Sequence, residues 1–139
     1  MDHEPATGDL VMALARRVRR AHAEALAEWD VTPSQARALR VLSSDQGMRP
    51  SALADELRIA PRSVTDVVDG LESRGWVVRA ADPTDRRATV LSLTQDGRAL
   101  VDRIEDVRRQ ASARVLDVLT PAQRRTLHEI LTVVVGERQ

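Results

Sequence analysis

The strongest constraint on the fold lies in residues 50–94, where two short helical patterns stand almost next to each other. Residues 50–58 predict a short helix with its apolar side chains on one face, and residues 61–74 predict a second one. The second helix is expected to end at Gly75, because glycine favours the position just after a helix. The helices are predicted to be joined by a tight turn at residues 58–60, which begins at the last residue of the first helix.

A hairpin is predicted directly after the second helix. Residues 77–81 and 88–94 have the composition of short strands, and the charged loop 82–87 separates them. Two helices joined by a tight turn and followed by a hairpin are typical of a winged helix-turn-helix, in which the hairpin is the wing. The fold class predicted is therefore mainly α with a small β-hairpin wing.

Long amphipathic helices flank this central section. Thr32, Pro33 and Gln35 form a capping-box pattern that starts a helix, and residues 120–123 repeat the pattern. The apolar stripes of the terminal helices have no second domain to cover them, which favours pairing of two copies; the alternative is an intramolecular bundle of these helices over the middle section. The predicted organisation is a flexible tail at 1–8 and a single domain at 9–139, with dimerisation helices at 9–31 and 98–136 around a DNA-binding region at 32–97.

Composition excludes several classes of site. The chain has no Cys, so disulfides, thiolate metal sites and Cys nucleophiles are ruled out. His3, His22 and His128 lack metal-ligand spacing, no phosphate-binding glycine loop is present, and no metal, cofactor or catalytic residue is expected. No stretch is apolar enough to predict a membrane span, and the N-terminus lacks a secretory pattern, so we expect a cytoplasmic protein. Formal net charge is zero, so DNA binding must depend on where the charges lie.

The second helix of the pair has an outward face suited to a DNA major groove. With 100° per residue, its valines and Leu71 cluster on one side. The residues expected to meet DNA are small, polar or charged: Arg62, Ser63, Thr65, Asp66 and Ser73. Arg62 suits guanine or a phosphate, Thr65 suits a thymine methyl, and Ser63 suits a phosphate.

Asp66 is the difficult member of this set, because phosphates repel a carboxylate. Two roles are open for it: it accepts from a cytosine amino group, or it pairs with Arg62 one turn earlier.

The wing loop offers a clearer signal for DNA binding, since Asp85, Arg86 and Arg87 place two arginines at its tip. An arginine at such a tip can insert into a narrow minor groove.

The central residues resemble the multiple-antibiotic-resistance regulator (MarR) family. The resemblance is carried by Leu53-Ala54-Asp55-Glu56-Leu57, Ser63-Val64-Thr65, Val68 to Val77, Asp82-Pro83-Thr84-Asp85-Arg86-Arg87-Ala88, and Leu91-Ser92-Leu93-Thr94 with Gly97. The combination of an Asp-x-Arg wing with a following Leu-Thr-x-x-Gly is specific. The flanking helices match the family layout as well.

This resemblance implies a homodimeric regulator, often a repressor, that is released by a small ligand. Its twofold symmetry predicts a pseudo-palindromic operator, and a small aromatic or phenolic compound is the candidate effector, although no residue selects this class over another. The resemblance also implies that Arg87 is the minor-groove residue, that Asp69 pairs with Arg87 to orient the wing, and that Asp85 helps to hold the wing. The chain departs from the family at Asp66, where a basic or neutral residue is more usual, and at Ala60, where Ser or Thr is common.

The resemblance also suggests an effector pocket where the first helix, the second helix and the helix after the wing meet. His22, Trp29 and Arg40 are the candidate residues. The function predicted is a sequence-specific DNA-binding transcription regulator and not an enzyme. The alternative is a winged-helix module that binds proteins and no DNA, which zero net charge leaves open.

Overall fold

The computed structural model describes residues 3–45 and 47–136. It contains six α-helices and one antiparallel hairpin within these residues. The elements are α1 (Thr7–Leu26), α2 (Pro33–Ser44), α3 (Pro50–Leu57), α4 (Pro61–Ser73), β1 (Val77–Ala81), β2 (Thr89–Leu93), α5 (Gln95–Val115) and α6 (Pro121–Gly136), with a short 3₁₀ turn at Ala27–Trp29. No helix in this part of the chain is long and apolar enough to cross a membrane.

The chain forms two compact units. The central unit is Leu26–Val107, and the terminal unit combines the chain up to Ala25 with the chain from Arg108 onward. The unit boundaries therefore lie inside the predicted terminal helices. The reason is local packing: Leu100, Val101 and Ile104 of α5 are buried in the core of the central unit.

Helix α1 begins at Thr7, two residues before the predicted start, so the last two residues of the predicted tail 1–8 are helical. The carbonyl of Ala6 accepts the hydrogen bond of the Leu10 amide and closes the first turn. Met1 and Asp2, which the tail prediction also covers, lie outside the described residues. At its other end α1 tightens into the 3₁₀ turn and stops at Asp30, whose φ is 54°.

The caps read from the sequence are confirmed. The hydroxyl of Thr32 accepts from the Gln35 amide at 3.1 Å, and the Gln35 side chain accepts from the Thr32 amide at 3.1 Å. Thr120 and Gln123 make the same reciprocal pair at the start of α6. Because such a box satisfies two amides that lack helical partners, these short polar sequences define where the helices start.

The core of the central unit is aliphatic and lies under α4. Val64 and Val68 are 1% exposed and Leu71 is fully buried, so the predicted inner face of α4 is confirmed. Helices α2 and α3 cover it with Leu39, Leu42 and Leu53. Burial of a branched aliphatic side chain contributes roughly 1.5–3 kcal/mol, and this core therefore fixes the angular setting of α4.

The hairpin is attached to α4 through the junction around Trp76. Gly75, with φ 75°, ends the helix, and the Trp76 amide donates to the Leu71 carbonyl. The Trp76 carbonyl then accepts from the Thr94 amide at 3.0 Å. The Thr94 hydroxyl caps α5 by accepting from the Gly97 amide at 3.0 Å. Helix α4, both strands and α5 thus meet at one point.

Gly97 is required at this junction, because a Cβ there would collide with the backbone carbonyl of Trp76. We predict that Gly97→Ala lowers the free energy of unfolding by about 1–3 kcal/mol, as overpacking does in a tight site. Urea unfolding measures the change. Gly8→Ala is the matched control, since a Cβ at Gly8 meets nothing within 4 Å. Equal midpoints for Gly97→Ala and the parent chain would contradict the assignment.

Candidate nucleic-acid interface

The turn between α3 and α4 sets the direction of α4. Arg58 takes the left-handed conformation at φ 54°, and its amide donates to the Asp55 carbonyl. The Ile59 amide donates to the Ala54 carbonyl at 3.1 Å, which completes the end of α3. Ala60 supplies no side-chain cap, and Pro61 begins α4 with a backbone angle already suited to a helix.

The outward face of α4 presents the residues that the sequence indicated. Arg62, Ser63, Thr65, Asp66 and Ser73 are all exposed. The Thr65 hydroxyl donates to the Pro61 carbonyl and the Ser73 hydroxyl to the Gly70 carbonyl, so both oxygens still accept from outside. Within residues 3–45 and 47–136 the Arg62 guanidinium has no hydrogen-bond or ionic partner.

Asp82 organises the first half of the wing loop. Its carboxylate accepts from the Thr84 amide at 2.9 Å, from the Thr84 hydroxyl at 2.8 Å, and from Arg49 at 3.0 Å. Its amide donates to the Ala88 carbonyl at 2.9 Å and closes the loop. The hydrogen bonds from Thr84, and then that from Arg49, lower the pKa of Asp82 from 3.8 to about 2. Neither Asp82 nor Arg49 was singled out from the sequence, although Asp before Pro-Thr is a turn signal.

Asp85 organises the second half of the loop, in agreement with its predicted part in holding the wing. One carboxylate oxygen accepts from the Arg87 amide at 3.1 Å, and the Asp85 carbonyl accepts from the Ala88 amide at 2.9 Å. Arg86 and Arg87 are exposed, and in the part of the chain that the structure describes their guanidinium groups contact no acid. The backbone of the loop is therefore held by several hydrogen bonds, and the loop presents two available cations.

An ionic bridge ties the wing to α4. Arg79, in the middle of β1, donates to Asp69 at 2.7 Å and to Glu72 at 3.0 Å. The hydrogen bond to Asp69 is the largest of the effects that raise the pKa of Arg79. The two acids lie on the outward side of α4, so the bridge joins this helix to the hairpin. Sequence reasoning missed Arg79, whose position in a short strand gave no signal of its partners.

Comparison with known proteins decides the family. A sequence model of the MarR family matches residues 31–89. The transcriptional repressor Rv2887 of Mycobacterium tuberculosis is 39% identical over 93 residues, which cover 67% of this chain and 67% of the relative. This chain belongs to the MarR family. The family consists of transcription regulators, so membership confirms the prediction of a regulator that is not an enzyme.

Solved MarR-family structures have the same fold. A mutant MarR from Escherichia coli matches with a TM-score of 0.87 at 25% identity, covering 96% of this chain and 99% of that chain. A crystal structure of Rv2887 in complex with DNA matches with a TM-score of 0.78 at 31% identity, covering 94% and 98%. The crystal structure of Rv2887 with salicylic acid has a TM-score of 0.76 at 31% identity, covering 96% and 99%. The predicted winged helix-turn-helix is confirmed.

The pairing of Asp69 that the MarR resemblance implied requires a correction. Asp69 contacts Arg79 and not Arg87. Arg79 projects from β1 beside α4, whereas Arg87 lies in the loop whose backbone Asp85 holds. Asp69 still joins the wing to the helix, but through the strand, which leaves the Arg87 guanidinium available.

The positions of the charges explain how this MarR-family chain, with zero net charge, can still present cations to DNA. The central unit holds eleven arginines against fourteen acids, an unfavourable balance for a DNA-binding region. Many of the acids have a basic partner inside the unit, among them Asp30, Asp69, Glu72, Asp82 and Glu105. The cations without such a partner in the described chain include Arg62, Arg86 and Arg87. Uncompensated positive charge therefore lies at the wing tip, whereas the outward face of α4 carries the Arg62 cation together with the carboxylate of Asp66.

The predicted effector-pocket residues lie in different places. Trp29 lines an open cleft of about 700 Å³, and Arg40 lines a separate one of about 410 Å³ beside its ion-pair partner Glu105. His22 belongs to the terminal unit, where Ser112 lies 2.7 Å from its Nε2 and Arg108 donates to its Nδ1. Among the described residues no group of His, Asp or Glu is arranged to bind a metal.

The depressed pKa of Asp82 makes wing order depend on pH. A carboxyl whose pKa is lower in the folded state stabilises the fold above its unfolded pKa, and this is lost as pH falls through the folded value. We predict that wing order is complete above pH 4 and declines toward pH 2. NMR titration of the Asp82 carboxyl, followed also at the Thr84 amide, measures the midpoint. A midpoint at the ordinary 3.8 would show that these hydrogen bonds do not form in solution.

Proposed function

We propose that this chain is a homodimeric repressor that places α4 of each copy in a major groove of its operator and Arg87 of each copy in an adjacent minor groove. One observation carries the proposal: the wing tip presents two arginines that have no acidic partner among the described residues, and Arg79 joins the hairpin that carries this tip to α4. The similar structure of Rv2887 was solved in complex with DNA, which supports a duplex as the partner. A regulator of bacterial type meets its operator in the cytoplasm, where we place this protein.

The proposed division of labour follows the predicted regions, with 32–97 contacting DNA and the terminal helices pairing two copies. Large apolar side chains on α1, α6 and the segment before α6 support the pairing. The exposed ones are Leu10, Val11, Met12, Val118, Ile130, Val133, Val134 and Val135, all 49% or more exposed. Exposure of such an apolar surface to water costs free energy. A second copy of the chain can cover it, because a twofold dimer packs the same surface of both copies together. A twofold axis then relates the two recognition helices, and half-sites lie about 34 Å apart.

Arg87→Ala tests the proposed interface. We expect operator affinity to fall roughly 10-fold or more, because a hydrogen bond from a charged donor contributes about 1.5–3 kcal/mol. Fluorescence anisotropy with a duplex selected from random DNA measures Kd across a series of salt concentrations, where each phosphate contact adds ~0.9 to the slope. Sedimentation checks the dimer in parallel.

Arg114→Ala is the matched control, since it removes the same charge from an exposed position on α5. Unchanged affinity of Arg87→Ala would overturn the wing assignment. A chain that sediments as a monomer and selects no DNA would favour the alternative function, a protein-binding module.

The proposed effector is a small aromatic or phenolic compound, and the Trp29 cleft is the better of the two clefts for it. The only two aromatic side chains of the chain, Trp29 and Trp76, both line this cleft. The Arg103 guanidinium lies 4.5 Å above the Trp29 ring, where it can also meet an acidic substituent. The similar Rv2887 was crystallised with salicylic acid, which supports the compound class. Trp76 also anchors the wing junction, so a ligand beside it can shift the wing.

Salicylate is the probe for this effector site. We predict that it quenches tryptophan emission, because both indoles border the cleft, and that it releases the selected operator. Trp29→Leu should lose the release while keeping DNA affinity, and Arg40→Ala should keep both. The measurement is operator anisotropy against salicylate concentration, with propionate as the non-aromatic control. Release that is equal in Trp29→Leu and the parent would place the effector elsewhere.

A further inference from the structure

Three acids lie along the outward side of α4 at intervals of three residues, and they differ in whether they have an ion-pair partner. Asp69 and Glu72 both contact Arg79 of β1. Asp66 is exposed, and within residues 3–45 and 47–136 its carboxylate has no hydrogen-bond or ionic partner. It is also the acid nearest the N-terminus of α4, the end of a recognition helix that reaches base edges.

The nearest cation along the helix is Arg62, four residues earlier on the same side. No ion pair joins Arg62 and Asp66 in the structure, which removes one of the two roles that the sequence left open. The order of the pair explains this, because an acid four residues after a base pairs less favourably on a helix than the reverse arrangement. Both side chains therefore remain available to a ligand.

An unpaired carboxylate inside a major groove needs a hydrogen-bond donor, since it only accepts and phosphates repel it. Guanine presents two acceptors at the groove edge, and thymine presents an acceptor and a methyl group. Adenine presents an amino donor beside the N7 acceptor, which would face the carboxylate. Cytosine presents its N4 amino group with no acceptor on that base. In its base pair this amino group has an acceptor on one side only, guanine O6, whereas the adenine amino group lies between its own N7 and thymine O4. Cytosine is therefore the base whose donor Asp66 can reach with the least repulsion.

We propose that Asp66 selects a cytosine in each half-site of the operator. The inference rests on the proposed function, because it requires α4 to lie in a major groove. Arg62 complements it: its guanidinium fits guanine O6 and N7, and side chains four apart on a helix are about 5–6 Å from each other. The selected cytosine therefore lies in the guanine's own base pair or within about two steps of it.

Asp66 also disfavours wrong sequences. Where the base opposite Asp66 has no hydrogen-bond donor, phosphates and base acceptors repel the carboxylate, and no hydrogen bond compensates for this repulsion. The carboxylate thus lowers affinity for non-cognate DNA while maintaining it for the cognate site. This differs from a structural role, since removal of Asp66 should weaken discrimination and strengthen non-specific binding at the same time.

The test selects duplexes from a random DNA library with three full-length proteins: the parent, Asp66→Asn and the control Asp102→Asn. Asp102 is an exposed acid on α5, so its variant loses the same charge away from α4. We expect the parent and the control to enrich one motif with a cytosine in each half-site. Asp66→Asn should change that single position toward adenine, because an amide pairs with adenine N6 and N7.

Anisotropy then gives the ratio of affinities for two duplexes that differ only at this position, cytosine against thymine. The parent ratio should be roughly 10-fold, in line with one specific base contact, and Asp66→Asn should lose it while binding unrelated DNA several-fold more tightly. An unchanged motif in Asp66→Asn, or a change spread over many positions, overturns this inference. Failure of the parent to enrich any motif instead refutes DNA recognition itself, so the two failures are distinguishable.

Discussion

The bridge from Arg79 to Asp69 and Glu72 is the interaction on which the DNA-facing geometry depends. The bridge matters for orientation and little for stability. Partly exposed ion pairs contribute only about 0–1 kcal/mol each to folding stability, far less than the aliphatic core beneath α4. The core fixes the rotation of α4, and the Trp76 junction fixes where the hairpin starts. The buried side chains of Val77, Leu91 and Leu93 hold the hairpin on the same core, and the bridge adds a directional contact between β1 and α4. One helix face and one loop tip can then meet two neighbouring grooves.

Zero net charge is compatible with DNA recognition because the acids of the wing loop and of the C-terminal half of α4 serve the protein's own structure. Asp82 and Asp85 hold the wing loop, and Asp69 and Glu72 hold the strand. On the outward face of α4 and at the wing tip, the charges left without a partner among the described residues are Arg62, Arg86, Arg87 and Asp66. Three cations and one anion form a surface that attracts a duplex and also discriminates between base pairs.

Elements whose signals are local were predicted well. The capping boxes at Thr32 and Thr120, the stop at Gly75, the strand at Val77–Ala81 and the inner face of α4 all follow from a few neighbouring residues. The exposed candidates on α4 and in the wing follow from the same helical and turn patterns. The partner of Asp69 was wrong, because several arginines lie within reach along the chain and only the hairpin geometry brings Arg79 beside α4.

The sequence by itself determined the order of the elements, their caps, the buried stripe of α4 and the arginines at the wing tip, since each depends on residues within one or two turns. Only the tertiary structure decided which charged side chains are paired with an opposite charge and which are not. Ion pairs such as Arg49 with Asp82 and Arg79 with Asp69 join residues from different elements, 33 and 10 positions apart. Distance in space, not in sequence, sets the strength of these contacts, so the availability of Arg87 and Asp66 could be read only from the folded chain.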